Sequence, residues 1–295
     1  MHPGIAYAAL SYVLWGLFPL YFKQVAGVPP LEIVLHRSVW SLVFLLALLT
    51  MLRRFAWLRD AVREPRRLGG FALSALLLSG NWLMYVWAVN NGRVIDASLG
   101  YFINPLVYVL LGYLVLHERP RRAQWLAVAI AALGVLWLTV QARQLPWIAL
   151  VLAGSFGLYG LMRKTASLGA LEGLALETLL LAPLAVPLLA LWTWQGHSAL
   201  AQGDTGAIAW LLLAGPLTAV PLLLFAAGAR RITLATLGVL QYIGPTLQFA
   251  LGVWLYHEPF DQARFAGFAL IWLALLVYSG ESWWFMRRRT AAVAS

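Results

Sequence analysis

Long apolar runs that alternate with short polar connections are the main pattern of this chain. Crossing about 30 Å of hydrocarbon takes ~20 apolar residues in a helix, whereas a barrel strand needs only about 10 residues of alternating polarity. Helices of that length also satisfy their backbone N–H and C=O groups internally. The pattern predicts an all-α polytopic membrane protein with ten transmembrane helices, at residues 4–22, 32–52, 70–90, 96–117, 123–141, 146–164, 171–192, 207–228, 233–256 and 264–285.

Composition supports this prediction and excludes other classes of protein. Hydrophobic residues make up 62% of the 295 positions and charged residues 11%, against the ~45–50% and ~25% of soluble proteins. A chain of this kind cannot cover itself with polar surface, so a soluble enzyme, a disordered tail and a secreted disulfide scaffold are excluded. The absence of cysteine also removes thiolate metal sites and cysteine nucleophiles.

The basic residues predict how the helices are oriented. The net charge of +10 comes from short Arg and Lys clusters between apolar runs, a pattern typical of membrane-flanking residues rather than of a nucleic-acid-binding face. Most of these residues fall on one side of the predicted bundle, with Arg53–Arg67 as the largest cluster. By the positive-inside rule, we expect both termini to lie in the cytoplasm. The first run, which follows no basic segment, is predicted to be a retained span.

An internal repeat relates the two halves of the chain. A shift of 140 positions aligns Ile103 with Ile243, Pro105 with Pro245, and the pair His117-Glu118 with His257-Glu258. We therefore divide the chain into a five-helix repeat at 1–143, a second at 144–286 and a basic cytoplasmic tail at 287–295. Since five is odd, the second copy enters the membrane from the opposite side, which is the inverted-repeat architecture of alternating-access transporters.

Several motifs resemble one family of membrane proteins. The chain is similar to the RarD-type branch of the EamA group in the drug/metabolite transporter superfamily. The resemblance implies a ten-helix inner-membrane carrier of small metabolites or drugs, with two EamA-like units. The matching motifs are Tyr21-Phe22-Lys23, Val28-Pro29, Glu32-Ile33, His36-Arg37, Trp40-Ser41, Gly80-Asn81-Trp82, Trp87-Ala88-Val89-Asn90-Asn91, Ala97-Ser98-Leu99-Gly100-Tyr101-Phe102-Ile103-Asn104-Pro105-Leu106 and Gln241-Tyr242-Ile243-Gly244-Pro245-Thr246.

The second run carries three ionisable residues, Glu32, His36 and Arg37. An ionised side chain near the middle of a span costs at least about 2.5 kcal/mol, so it usually faces a partner or a wet cavity. Arg37 either pairs with Glu32 or binds an anionic group of a substrate in such a cavity. His36 is either a proton relay or a local hydrogen-bond partner of Glu32.

Glu177 stands 140 positions after Arg37, so the two are expected to approach the interface between the halves from opposite sides. A carboxylic acid in a low-dielectric setting can exchange protons near neutral pH, which makes Glu177 the candidate for proton coupling. The alternative is a static ion pair with Arg37 or another group. Glu32, His36 and Glu177 are therefore our candidate coupling or charge residues.

Amide and aromatic side chains complete the candidate site, although amides in membrane helices often only bond to neighbouring helices. We predict that Arg37 binds the anionic group of the substrate. Pro105 and Pro245 are candidate hinges, Pro19 is expected only to kink its helix, and the two His-Glu pairs are expected to cap their own helices. The other predicted substrate-binding residues are Asn81, Trp82, Tyr101, Asn104, Gln241 and Tyr242.

No enzyme motif occurs in the sequence, so we expect neither catalysis nor a cofactor or metal. The predicted function is a secondary active transporter that exports a small amphipathic metabolite, such as an amino acid or related drug-like compound, by alternating access. Flipping of a lipid-linked substrate, uptake of a metabolite and a channel are the alternatives. The expected partners are the small-molecule substrate and membrane lipids, without nucleic acid, and the expected state is a monomer or weak homodimer.

Overall fold

The computed structural model describes residues 2–25, 27–90, 94–142, 147–203, 205–255, 265–267, 269–278 and 280–281. All the regular structure in these ranges is helical. The helices are α1 (Pro3–Gly16), α2 (Phe18–Gln24), α3 (Pro30–Met51), α4 (Ala56–Arg63), α5 (Pro65–Asn90), α6 (Val94–Leu114), α7 (Arg122–Ala142), α8 (Trp147–Thr165), α9 (Ala170–Trp194), α10 (Ala199–Gln202), α11 (Thr205–Ala229), α12 (Leu234–Gln241), α13 (Ile243–Ala250), a π-helical turn (Leu251–Leu255) and α14 (Phe265–Tyr278); residues 280–281 are also helical.

Six helical segments in the described part of the chain are long and apolar enough to cross a membrane, and Gly100–Leu114 and Phe265–Tyr278 are shorter apolar helices. The protein is therefore an all-helical, multi-pass membrane protein. The number of ten spans remains a prediction. The six segments are Pro3–Gln24, Pro30–Met51, Pro65–Tyr85, Arg122–Gln141, Ala170–Gln202 and Thr205–Ala229.

The first apolar run is divided into two helices at Leu17, where the sequence predicted one kinked span. Pro19 explains the division because proline has no N–H to donate to the carbonyl four residues earlier, which belongs to Trp15. Gln248 of α13 supplies the missing donor, since its Nε2 lies 3.2 Å from the Trp15 oxygen. The break in the first span is therefore stabilised by a side chain from the other end of the sequence.

The predicted span 233–256 is also divided, and α12 and α13 meet at Tyr242. Pro245 removes the donor that would otherwise reach the Gln241 carbonyl, so the helix is interrupted one turn before the proline. The equivalent Pro105 lies inside α6, which continues past it. The two prolines thus sit in different local structures, and their role as hinges remains a prediction.

Helix α3 packs closely against α9 and α11, and this packing positions the candidate site. Gly215 of α11 lies against the backbone of Trp40, where any Cβ would overlap main-chain atoms. Ser41 Oγ donates to the Gly215 carbonyl at 3.1 Å. The two backbones can approach this closely because residue 215 has no side chain.

The Glu118 side chain caps a different helix from the one predicted. His117, with a φ of 54°, turns the chain at the end of α6. The Glu118 carboxylate then accepts the Leu234 N–H, at 2.9 Å to Oε2 and 3.1 Å to Oε1. A carboxylate is favourable there because the first N–H groups of a helix have no partner within it. Glu118 therefore caps α12 rather than its own helix, while the second pair, His257-Glu258, lies outside the described residues.

Candidate binding cavity

A small cavity of about 30 Å³ lies between α3, α5, α9 and α11 and is partly open to the surroundings. Arg37 and Glu177, the two charged residues that the sequence places 140 positions apart, both line it. Its other polar lining consists of serine and threonine hydroxyls, and the rest is Ala and Leu. The polar lining residues are Arg37, Ser38, Ser41, Ser79, Glu177, Thr178 and Thr218.

Arg37 has an unusual environment for a charged side chain. Its Nε and Nη1 atoms are buried and have no hydrogen-bond partner. Within the part of the chain that the structure describes, its guanidinium makes no ion pair with Glu32 or Glu177, and its Cζ stacks 3.7 Å from the centre of the Trp82 ring. A buried cation without a counter-ion is costly, so this arrangement favours a ligand site over an internal ion pair.

Aromatic rings form a row that begins at Arg37, and we call this row the aromatic wall. Trp82 meets Tyr85 edge to face at 6.0 Å, and Tyr85 meets Tyr101 in the same way at 5.8 Å. The Tyr101 hydroxyl is close enough to the guanidinium to interact with it electrostatically. The three rings are not among the residues that line the cavity. Arg37 therefore lies between the cavity and an adjoining aromatic wall, an arrangement that suits an amphipathic anion.

Glu177 contacts three side chains. One of these contacts is an ion pair, the arrangement that the sequence analysis gave as the alternative to proton coupling. Arg163 Nη1 lies 3.4 Å from Glu177 Oε1, and the two side chains are 0% and 1% exposed. Ser74 also donates to Oε1, and the Tyr159 hydroxyl lies 3.5 Å from Oε2. Glu177 thus joins α5, α8 and α9 at one point on the cavity wall.

Sequence reasoning missed Arg163, which it grouped with the basic residues that flank the membrane. The Arg163 Nη2 atom donates to the carbonyls of Gly169 and Ala170, and its guanidinium leaves no room for a Cβ at Gly173. The signal was present because residue 163 falls inside the predicted span 146–164. A charge inside a span calls for a partner.

The predicted amides contact neighbouring helices in this structure. Asn81 Nδ2 donates to the Leu152 carbonyl and to Ser155 Oγ, both at 2.9 Å. Asn104 Nδ2 donates to Gln241 Oε1. These residues are not among those that line the cavity, so a role for them in substrate binding remains a prediction.

Tyr242, the remaining predicted aromatic residue, donates its hydroxyl to the Phe102 carbonyl at 3.2 Å, and the two rings stack at 6.5 Å. This contact joins α6 to the junction between α12 and α13. Like the amides, Tyr242 does not line the cavity.

Glu32 and His36 form a separate buried cluster near the start of α3. Glu32 Oε1 accepts the backbone N–H of Ala199 at 2.7 Å, and His36 Nε2 lies 3.6 Å from the same oxygen. His36 Nδ1 accepts the Trp40 indole N–H at 2.9 Å, which assigns the ring proton to Nε2. Glu32 thereby attaches α3 to the first turn of α10. Among the described residues, no group of three or more His, Asp or Glu side chains could hold a metal ion.

Comparisons with known proteins give a consistent result. Residues 2–140 match the EamA-like transporter family. An uncharacterized transporter of Pseudomonas aeruginosa is 48% identical over 97% of this chain and 96% of its own length. Protein RarD of Escherichia coli is 43% identical over 97% of this chain and 96% of its own length, and protein RarD of Streptomyces exfoliatus is 45% identical over 98% and 91%.

A solved crystal structure has a fold similar to that of this chain. It superimposes with a TM-score of 0.72 at 19% identity and covers 93% of this chain and 96% of its own chain. At that identity the likeness concerns the fold alone.

Proposed function

Because the chain belongs to the RarD-type branch of the EamA-like transporter family, we propose that it is a secondary active transporter that exports a small amphipathic metabolite, such as an amino acid or related compound, across the inner membrane. The family makes it a membrane transporter of a small molecule. The observation that supports the finer proposal is Arg37, a cation that has no counter-ion within the described part of the chain and lies on the wall of a cavity between helices.

Alternating access between two inverted five-helix units is the proposed mechanism. When two equivalent units are related by a twofold axis, equivalent residues near that axis contact each other. Phe102 and Tyr242, which are 140 positions apart, do so through a hydrogen bond and stacked rings. This contact supports units at 1–143 and 144–286. The distribution of basic residues supports a cytoplasmic position for the termini and the tail 287–295.

The proposed binding residues divide into two groups. Arg37 holds the anionic group while Trp82 and Tyr101 cover the apolar part of the substrate, since these rings form the wall beside the guanidinium. Asn81, Asn104, Gln241 and Tyr242 orient the substrate in a conformation in which their present interhelical bonds are released, with Pro105 and Pro245 as the hinges.

Replacement of Arg37 tests this proposal directly. Arg37→Ala is expected to abolish transport into proteoliposomes while membrane insertion and expression remain intact. The substrate for this assay comes from a screen of ligands that raise the thermal stability of the purified protein, because binding to the native state raises its apparent stability. Undiminished flux through Arg37→Ala would remove Arg37 from the mechanism.

Glu177→Gln tests proton coupling at the second charged site. If the Glu177 carboxylate carries the coupling proton, the variant loses flux driven by a pH gradient but keeps the exchange of substrate between the two sides. Loss of both activities would assign Glu177 a purely structural role through its pair with Arg163.

A further inference from the structure

Charges around the cavity select among possible substrates and among modes of transport. We infer that the transported species carries a net charge of −1, and that the protein exchanges one anion for another instead of returning empty. This inference rests on the proposed function, because it assumes that the cavity at Arg37 is the transport site. It goes further by narrowing the proposed class of small amphipathic metabolites to carboxylates and other anions, so that zwitterionic amino acids and neutral molecules are not the favoured substrates.

The empty cavity has a net charge that follows from the side chains that line it. Among the residues that the structure describes, the ionisable side chains that line the cavity are Arg37 and Glu177. Glu177 is already neutralised by Arg163, which lies within ion-pair distance on the side of α8. Arg37 therefore leaves the empty site with one positive charge in excess. A ligand of charge −1 restores neutrality, and a neutral ligand does not.

Zwitterions are disfavoured because, among the described residues, the one carboxylate that lines the cavity is already bonded. This carboxylate, Glu177, accepts from Ser74, Tyr159 and Arg163. Glu32, the carboxylate of α3, has an unpartnered Oε2 but does not line the cavity. Binding an ammonium group at Glu177 would compete with its present bonds, whereas binding an anion at Arg37 breaks none.

Arg37 also has the geometry of a site that awaits an acceptor. Its Nε and Nη1 donors are both buried and both lack an acceptor. Trp82 covers one face of the planar guanidinium at 3.7 Å, so the ligand must approach its edge or its other face. Carboxylate, sulfonate and phosphate oxygens are the natural acceptors for these N–H groups. The aromatic wall favours a ligand with an apolar ring or chain next to the anionic group.

Exchange follows from the same unpaired charge. An alternating-access carrier passes through a closed state in which the site is sealed from water on both sides. An empty closed state would hold Arg37 without water or counter-ion, and burying an unpaired charge is strongly unfavourable. The loaded closed state contains a compensated pair and is much lower in energy. The carrier therefore reorients readily with an anion bound and slowly without one.

A binding experiment tests the charge of the ligand with three aromatic probes of similar size. Benzenesulfonate is an anion at any working pH, benzenesulfonamide is its neutral counterpart, and phenylalanine is a zwitterion. Benzenesulfonate is expected to raise the unfolding temperature of the purified protein in detergent, and the other two at the same concentration are not. Equal stabilisation by the amide or by phenylalanine, or none by the sulfonate, would overturn the inference.

Two variants show whether the effect comes from Arg37. Arg37→Gln should remove stabilisation by benzenesulfonate. Arg231→Gln is the matched control, because Arg231 also lies over an aromatic ring, Tyr7 at 5.4 Å, but does not line the cavity. It should respond to the probe as the unchanged protein does. A response that survives in Arg37→Gln would place the anion site elsewhere and overturn the inference.

A flux experiment separates exchange from net transport. Proteoliposomes loaded with radiolabelled benzenesulfonate, at clamped membrane potential, are diluted into buffer with or without unlabelled benzenesulfonate. External anion is expected to accelerate efflux by about tenfold or more, since it removes the empty return step. Equal efflux rates in the two buffers would overturn the inference of exchange but would not contradict the proposed transport function. If no Arg37-dependent efflux occurred in either buffer, both the inference and the proposed site would be wrong.

Discussion

Arg37 and Arg163 both contribute buried guanidinium atoms to this protein, and the protein itself binds the two to different extents. Arg163 is 0% exposed, pairs with Glu177 at 3.4 Å, donates to two backbone carbonyls and leaves only its Nε without an acceptor. Arg37 lines a cavity, stacks on Trp82 and leaves two buried N–H donors without acceptors. From this comparison we expect that the number of bonds the protein itself makes to a buried charge separates a structural role from a ligand-binding one. The predictions below test this difference through the stability of variants.

The largest expected effect comes from removing Arg163. Arg163→Met should lower the free energy of unfolding by about 3–5 kcal/mol, because it leaves the Glu177 carboxylate buried without a counter-ion. Thermal or denaturant unfolding in detergent measures the loss. The double variant Arg163→Met/Glu177→Leu should recover much of the stability, since it removes both charges together. A single variant as stable as the unchanged protein would contradict a structural role for Arg163.

Crowding Arg163 should have a smaller effect. A Cβ at Gly173 would overlap the Arg163 Nη1 atom and press on the Phe71 ring. Gly173→Ala is therefore expected to cost about 1–3 kcal/mol of unfolding free energy, the usual range for overpacking. Gly80→Ala is the control, because a Cβ there would meet nothing within 4 Å. If both variants were equally stable, the guanidinium would not be held where the structure places it.

An ion pair with one exposed partner should contribute less than either change at Arg163. Arg54 Nη2 lies 2.5 Å from Glu172 Oε1, and the arginine and glutamate side chains are 57% and 8% exposed. Solvent reaches the pair from the arginine side and screens it, so Arg54→Ala should change the unfolding free energy by about 1 kcal/mol. High salt should reduce even that difference in the same unfolding assay. A loss as large as that of Arg163→Met would show that burial is not what separates these pairs.

The smallest expected change in stability is at Arg37 itself. Arg37→Met should shift the unfolding free energy by less than about 1 kcal/mol in either direction, because it removes a charge that has no internal partner. The sharpest test is to measure the unfolding free energies of Arg37→Met and Arg163→Met under the same conditions. If Arg37→Met lost several kcal/mol, Arg37 would be holding the fold together and the proposed site would lose its basis.

The helices could be predicted from the sequence because an apolar run of sufficient length has only the helix available to it in a membrane. The run 146–164 corresponds to α8, Trp147–Thr165, and the run 171–192 to α9, Ala170–Trp194. The break at Leu17 was foreseen only as a kink, because its stability depends on Gln248, a residue far away in the sequence. Local pattern cannot show which distant amide will replace a missing backbone donor.

The site was predictable only in part for a related reason. Arg37 and Glu177 stand out because each is a charge within an apolar run, and the structure places both on one cavity. The bonds of each charge could not be deduced in the same way. Arg163 lies near the end of its run, where positive residues ordinarily meet lipid headgroups, so only the fold shows that it turns inward. Likewise, Asn104 and Gln241 were expected beside the substrate, and here they bond to each other.

The contact between Glu118 and Leu234 has a consequence for biosynthesis. Thr233 caps the Thr236 N–H from within the same segment, whereas the Leu234 N–H depends on a carboxylate that is made more than a hundred residues earlier, in the loop after α6. When α12 leaves the ribosome, its first N–H therefore lacks this acceptor until the new helix packs against a much earlier segment. The hydrogen bond at the start of α12 is for this reason among those completed late, when distant parts of the sequence come together.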